Sequence, residues 1–259
     1  MILSKDNESV KSFRKLHHRK FRDILGKFMV ENLITIDSAV REGFCPTELF
    51  VSEEWIEKKD PRIEQILATV SKTHIVSVAV SRSLSTQDTP SGIYAVYPKS
   101  SQRFEPEGAV LYLNGISDPG NLGTIFRTAL AFRMKNIVVD EDCVDVYNPK
   151  AISAMKDAIF KVNLFHDKDR SLFAKLKAKM PILSTRPREA QEVSQFKFPS
   201  LFCLVLGSEA QGVSPQIEAL SDVFLRIEHF PEMESLNVSV SSGILLYAMN
   251  KFSQNTLQN

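Results

Sequence analysis

The chain has 259 residues, 43% of them hydrophobic, and 32 Lys and Arg against 31 Asp and Glu give a net charge of +1. That length allows one large or two ordinary domains with a sizeable core, and the charge balance gives no global pull toward nucleic acid or membrane. No apolar run approaches the ~20 residues of a membrane helix, no charged-then-apolar leader opens the sequence, and Cys45, Cys143 and Cys203 are scattered, so a soluble, cytoplasmic, reduced protein is expected.

The five histidines do not combine with the cysteines at ligand spacing, and no metal site is expected. Local charge is less even than the total. Lys11, Arg14, Lys15, Arg19, Lys20, Arg22 and Lys27 stand against Asp23 alone, with Phe13, Leu16 and Phe21 interleaved. The pattern predicts a helix with a basic face. A solvated surface is the plain reading of such a run. Phosphate contact is the sharper one, because each neutralised phosphate releases counterions. Lys11, Arg14, Lys15, Arg19, Lys20 and Arg22 are the candidate RNA-binding residues.

From Lys27 onward helices and strands alternate. Leu33 to Val40 reads as a helix, Glu48 to Ser52 as a strand and Pro61 to Thr69 as a helix with proline at an early position, where its missing N–H costs little. His74 to Val80 and Ile93 to Tyr97 read as strands. Residues 1–98 are thus expected to form a small α/β domain, and the polar, proline-bearing stretch 99–108 a linker.

Residues 109–259 restart the alternation. Ala109 to Leu113, Asn136 to Asp140, Pro181 to Ser184, Leu201 to Leu206 and Val223 to Ile227 read as strands; Leu122 to Arg133, Pro149 to Phe160, Ser171 to Lys179 and Pro215 to Leu220 read as helices. A mostly parallel sheet covered on both faces is expected. The last helix, 238–252, carries apolar residues nearly all round, so it is either inserted deeply in its own domain or buried between subunits.

Three stretches hold the chemistry. In the first, a strand runs through Asn114-Gly-Ile-Ser-Asp-Pro-Gly into a helix with Asn121 at its mouth and Arg127 off its apolar stripe. In the second, the strand Leu204-Val-Leu meets Gly207-Ser-Glu209-Ala-Gln-Gly212, where Glu209 taken alone is no more than a loop acid. The third is Ile227-Glu-His-Phe-Pro-Glu-Met-Glu-Ser235-Leu236-Asn237, in which Ser235 or Asn237 would serve as the N-cap of the last helix. No G-x-G-x-x-G or P-loop is present, so nucleotide-phosphate cradles of those kinds have no support.

Together, in this order and spacing, the stretches resemble the three motifs of the SpoU (TrmH) family of RNA ribose 2′-O-methyltransferases, in the SPOUT superfamily. The likeness covers residues 109–252, and Gly26-Lys-Phe-Met-Val-Glu31 is similar to the start of the small domain, resembling ribosomal protein L30e, that precedes the catalytic domain in many members. The resemblance implies an α/β sheet tied C-terminally in a trefoil knot, a homodimer, and S-adenosylmethionine as methyl donor. The positions matching the donor site are Gly207, Ile227 and Leu236, with Leu206, Ser208 and Met233 beside them. Asn121, Arg127, Glu209, Ser235 and Asn237 match the catalytic positions. Arginine stays protonated at ordinary pH, so Arg127 is read as binding an RNA phosphate and stabilising the developing alkoxide. Ribosomal RNA is the expected substrate; transfer RNA, or a non-catalytic RNA-binding assembly factor of the same fold, are the alternatives. Departures from the family pattern are Ala210 for glycine, Glu228 for a proline, and Met155-Lys156-Asp157 for a small-residue stretch.

Overall fold

The computed structural model describes residues 1–230 and 232–256. They fall into two units, 1–101 with 147–160, and 102–146 with the remainder from 161. The second domain expected from 109 onward is therefore interrupted. Residues 147–160 leave it and join the first unit, because their aromatic rings find partners there: Tyr147 lies 4.8 Å from Phe28, and Phe160 4.6 Å from Tyr97, centroid to centroid.

The first unit opens with α1 (Glu8–Lys15) and α2 (Arg19–Leu25), followed by β1 (Lys27–Glu31) and α3 (Leu33–Arg41). Then come β2 (Glu48–Ser52), α4 (Glu53–Lys58), α5 (Pro61–Thr69), β3 (Thr73–Val76), α6 (Val78–Leu84) and β4 (Ile93–Pro98). The four strands pair in the order β1-β4-β2-β3. Phe13, Phe50 and Tyr94 sit in its core. Two corrections to the sequence reading arise here. The basic stretch is two helices, and Arg22 is buried at 3% exposure. Its guanidinium donates to Leu16 O and His17 O, both at 2.8 Å, so it closes the open carbonyl end of α1. The strand expected to reach Val80 stops at Val76, since Ser77 accepts a bond from Val80 N and starts α6.

The second unit is built on β5 (Val110–Leu113), α7 (Pro119–Ala131) and β6 (Asn136–Asp140). The excursion into the first unit carries α8 (Pro149–Met155) and begins α9 (Ala158–Lys161), which Lys156 at φ 57° separates where one helix was expected. The second unit resumes with β7 (Asn163–Asp167), α10 (Ser171–Lys177), β8 (Ile182–Thr185), β9 (Gln191–Glu192), β10 (Cys203–Leu206), α11 (Pro215–Glu218), β11 (Val223–Arg226) and α12 (Val238–Thr256). Its seven strands run in the order β7-β6-β5-β10-β8-β11-β9, every ladder parallel. The loops after β5, β8, β10 and β11 therefore all emerge at one edge, where parallel α/β sheets bind ligands.

The last helix is not buried all round. Leu245, Leu246 and Ser242 are at most 1% exposed, while Val240 and Tyr247 are 52% and 57% exposed. Val240, Ile244 and Tyr247 recur at i, i+4 and i+7 and leave one apolar stripe uncovered. Among the described residues, no helix is long and apolar enough to cross a membrane.

Candidate functional site

The three stretches singled out in the sequence meet through side chains. Asp118 caps α7 and accepts a bond from Asn121 N at 2.7 Å, so the helix starts before the expected Leu122, with Pro119 in its first turn. Asn121 thereby sits in the first turn with its amide projecting out. Its Nδ2 donates to Glu209 Oε1 at 2.5 Å, and its Oδ1 accepts from Asn237 Nδ2 at 3.1 Å. Asn237 in turn caps α12: its Oδ1 accepts from Ser239 N, Ser239 Oγ and Val240 N. One amide thus links three segments separated by 88 and 116 positions.

The loop carrying Glu209 is held at both ends. Ser208 N donates to Gly212 O and Gly212 N to Ser208 O, each at 2.9 Å. Gly212 has φ +70°, and a Cβ on Gly207 would lie 2.0 Å from Gly212 C. Only glycine fits at Gly207, and Gly212 sits where glycine is favoured. Just beyond, Ser214 N donates to Asn114 Oδ1 at 2.7 Å, and Asn114 Nδ2 donates to Asp140 Oδ2 at 2.5 Å. Asn114, 3% exposed, pins the loop to the ends of β5 and β6.

Beside this junction lies a cavity of about 400 Å³ walled by the loops after β8, β10 and β11. Leu206, Gly207, Ser208, Ile227 and Leu236 line it, as the resemblance implied, and so do Glu209 and Ser235. Met233 does not line it; its side chain is 57% exposed. Arg127 does not line it either and is exposed. It lies six residues beyond Asn121 on α7, about 9 Å farther along the axis. Sequence reasoning missed Thr185, Arg186 and His229, which also line the cavity. Thr185 ends β8 and Arg186 follows it, and that placement at the end of a parallel strand was the available signal. Arg186 stacks on Phe224 at 4.0 Å and donates twice to Glu189 O.

The loop after β11 carries the departure noted at Glu228. Arg226 pairs with Glu192. A hydrogen bond from Ser194 holds the Glu228 carboxyl below its usual value, while its bond to Glu228 pushes Glu192 up. Glu228 thus belongs to a polar cluster on the strand side of the loop. Among the described residues, no group of three or more His, Cys, Asp and Glu could hold a metal ion.

The cavity combines apolar walls (Leu206, Ile227, Leu236, Leu245) with two carboxylates, Glu209 and Glu234, and two guanidinium groups, Arg186 and Arg226. It can take a flat apolar ring system that carries groups of both charge signs, of drug-like size.

Comparison with known proteins fits this geometry. Residues 108–247 match the family model described as SpoU rRNA Methylase family, and residues 7–95 match the MRM3-like substrate binding domain. The chain is 27% identical over 247 residues to the 23S rRNA (guanosine(2553)-2′-O)-methyltransferase of Bacillus subtilis (strain 168), covering 95% of this chain and 97% of that protein. A crystal structure of an RNA 2′-O ribose methyltransferase superposes with a TM-score of 0.81 at 26% identity, covering 98% and 99% of the two chains. An AdoMet-bound rRNA methyltransferase from Sinorhizobium meliloti superposes with a TM-score of 0.85 at 21% identity over 96% and 97%, a likeness of fold. With the matched region spanning more than half its length and all three motifs meeting at one edge of the sheet, the chain belongs to the SpoU rRNA methylase family.

Proposed function

We propose that this protein transfers a methyl group from S-adenosylmethionine to a ribose 2′-hydroxyl of RNA, with ribosomal RNA as the substrate class. The observation that carries the reading is the Asn121–Glu209–Asn237 junction at the cavity lined by Gly207, Ile227 and Leu236. The Bacillus subtilis protein, named for 23S rRNA, matches over nearly all of both chains, while a second relative of similar coverage is named for tRNA or rRNA.

Gly207, Ile227 and Leu236 would hold the donor, with Glu209 and Glu234 facing its positive charge. When bound, S-adenosylmethionine supplies a methyl group already activated by the sulfonium. The protein's task is then alignment and the handling of one proton. Asn121 is fixed at both ends of its amide, so it presents Glu209 and Asn237 in a set geometry. Ser235, exposed at the cavity rim, is placed to position the ribose.

The exposed stripe Val240, Ile244 and Tyr247 supports a homodimer through α12. Arg127, outside its own cavity, would then serve the site formed with the second copy, binding phosphate beside the 2′-oxygen. The sheet order, with β10 between β5 and β8 and the cavity walled by the loops after β8, β10 and β11, supports the trefoil knot. The first unit is read as an L30e-like RNA-binding domain. Lys11, Arg14, Lys15, Arg19 and Lys20 remain exposed on it, although Lys11 pairs with Glu8 and Arg19 with Asp23.

The test is incubation of the full-length protein with methyl-labelled S-adenosylmethionine and either ribosomal or transfer RNA, followed by nucleoside analysis. Label in 2′-O-methylnucleosides from ribosomal RNA is expected. Label on a base, label in transfer RNA alone, or RNA binding without transfer would each overturn the reading.

A further inference from the structure

Arg186 follows β8 and lines the cavity together with Arg226, Glu209 and Glu234. Its position is fixed at three points. Its backbone N–H donates to Leu225 O at 3.1 Å. Its guanidinium carbon lies 4.0 Å from the centre of the Phe224 ring. Its Nε and Nη2 both donate to Glu189 O, at 3.1 and 2.7 Å. Those two bonds occupy the side edge of the planar fork. The end edge keeps one N–H on each Nη, and among the described residues Nη1 has no hydrogen-bond partner.

The charges of the cavity are unevenly paired. Arg226 is matched by Glu192, and Glu209 accepts from Asn121. The carboxylate beside Arg186 is that of Glu189, 3.9 Å away on a side chain 89% exposed, where an ion pair is worth little. Arg186 is thus a fixed cation with an open bidentate edge. We propose that Arg186 grips the carboxylate of the methyl donor's amino-acid tail and selects donors that carry one. The inference rests on the reading of this cavity as the donor site. S-adenosylmethionine carries a sulfonium, an ammonium and one carboxylate, and of these three charged groups a guanidinium can donate only to the last.

Arg186 also repels the sulfonium and the ammonium. That repulsion falls with distance, whereas paired charge-assisted bonds of about 2.7–2.9 Å form only with the carboxylate. Glu209 and Glu234, on the same cavity, offset the two cationic groups. Phe224 and Glu189 O already order the fork, so it loses little freedom on binding. A donor stripped of its carboxylate becomes doubly cationic, and Arg186 then only repels it. Arg186 therefore acts in opposite directions on the two ligands.

The test is calorimetric titration of three ligands into full-length wild type, Arg186→Gln and Arg186→Lys. The ligands are S-adenosylmethionine, its decarboxylated analogue, and 5′-methylthioadenosine, which lacks the amino-acid tail. Wild type is expected to prefer S-adenosylmethionine over the decarboxylated analogue at least about tenfold, the size of one hydrogen bond to a charged group. In Arg186→Gln that preference is expected to shrink to within about twofold, because one ligand weakens while the other holds or tightens, with 5′-methylthioadenosine unchanged. Arg186→Lys, which keeps the charge and loses the fork, is expected to fall between. In wild type the preference is expected to shrink as salt rises from about 0.05 to 1 M, a readout independent of whether either variant folds. A wild-type preference under twofold, the same preference in Arg186→Gln, or a preference that holds or grows with salt overturns the proposal alone. Absence of binding of all three ligands to wild type overturns the donor-site reading and this proposal with it.

Discussion

Gly207→Ala tests the architecture of the donor site most directly. The added Cβ would sit 2.0 Å from Gly212 C, 2.1 Å from Val213 N and 2.3 Å from Gly212 O, all backbone atoms. Ordinary carbon contacts begin near ~3.5 Å, so the loop must retreat by more than an ångström. No rotamer change can relieve the clash. Retreat breaks the reciprocal pair between Ser208 and Gly212, two bonds of 2.9 Å. At ~1 kcal/mol net per bond, the cost is about 2 kcal/mol. If that cost falls on the binding-competent loop, donor affinity drops roughly 30-fold. The loop is short and its motion local, so Tm should move by only ~4–8 °C for this chain length. Calorimetry with S-adenosylmethionine and a melting curve on the same sample separate the two effects. Gly207→Ala binding the donor within twofold of wild type would refute the reasoning.

Asn237 has two separable jobs. Asn237→Ala loses the α12 cap and should cost ~1 kcal/mol of stability. Asn237→Asp keeps the oxygen that caps α12 but turns the donation to Asn121 Oδ1 into a contact between two acceptors and adds a negative charge near Glu209, so single-turnover transfer should fall; undiminished transfer would remove Asn237 from the chemistry. Arg22→Ala should destabilise the protein by roughly 1–3 kcal/mol, since Leu16 O and His17 O lose a buried donor. The double variant Arg14→Ala with Lys15→Ala should leave Tm unchanged and flatten the salt dependence of RNA binding by up to ~0.9 per lost phosphate contact. An unchanged slope would take the basic helices out of RNA contact. The backbone N–H of Ile182, and then Lys177, hold the Asp222 carboxyl below its usual value of 3.8. A depressed folded value means stability that is present above the unfolded pKa and lost as pH falls through the folded one. Asp222→Asn should therefore lower Tm at pH 7 and have a fading effect below pH ~4. An equal effect at both would mean that the charge is irrelevant.

The elements read correctly are those whose signals are local. Pro61–Thr69 follows an Asp60 that does cap it, accepting from Arg62 N at 2.9 Å. Asn136–Asp140 is an apolar run buried throughout. β7 was not legible, because Asn163, His166 and Asp167 make it look polar. Asp167 is tolerated at 1% exposure because the N–H groups of Leu172 and Phe173, in the first turn of α10, and Tyr112 OH, 55 positions away, bond to it. Residues 78–80 look like the end of a strand that begins at His74 until the Ser77 cap is seen to act. The departures at Ala210 and Glu228 leave the cavity lining intact: Ala210 lines it, and Glu228 turns to Ser194 and Glu192.

By itself, the sequence determined that two α/β regions exist, that the second carries three ordered motifs, and that Gly207, Glu209, Asn121 and Asn237 belong to them. Spacing along one chain carries that much, because helix and strand periods and turn residues are short-range. Only the tertiary structure decided which of these residues touch. Parallel crossovers bring loops more than a hundred positions apart to one sheet edge, so Asn121 meets Asn237. The same packing turns Arg22 inward to cap α1, leaves Arg127 outside its own cavity and bares one side of α12. Burial and long-range hydrogen bonds depend on what the rest of the chain places alongside, and no local pattern encodes that.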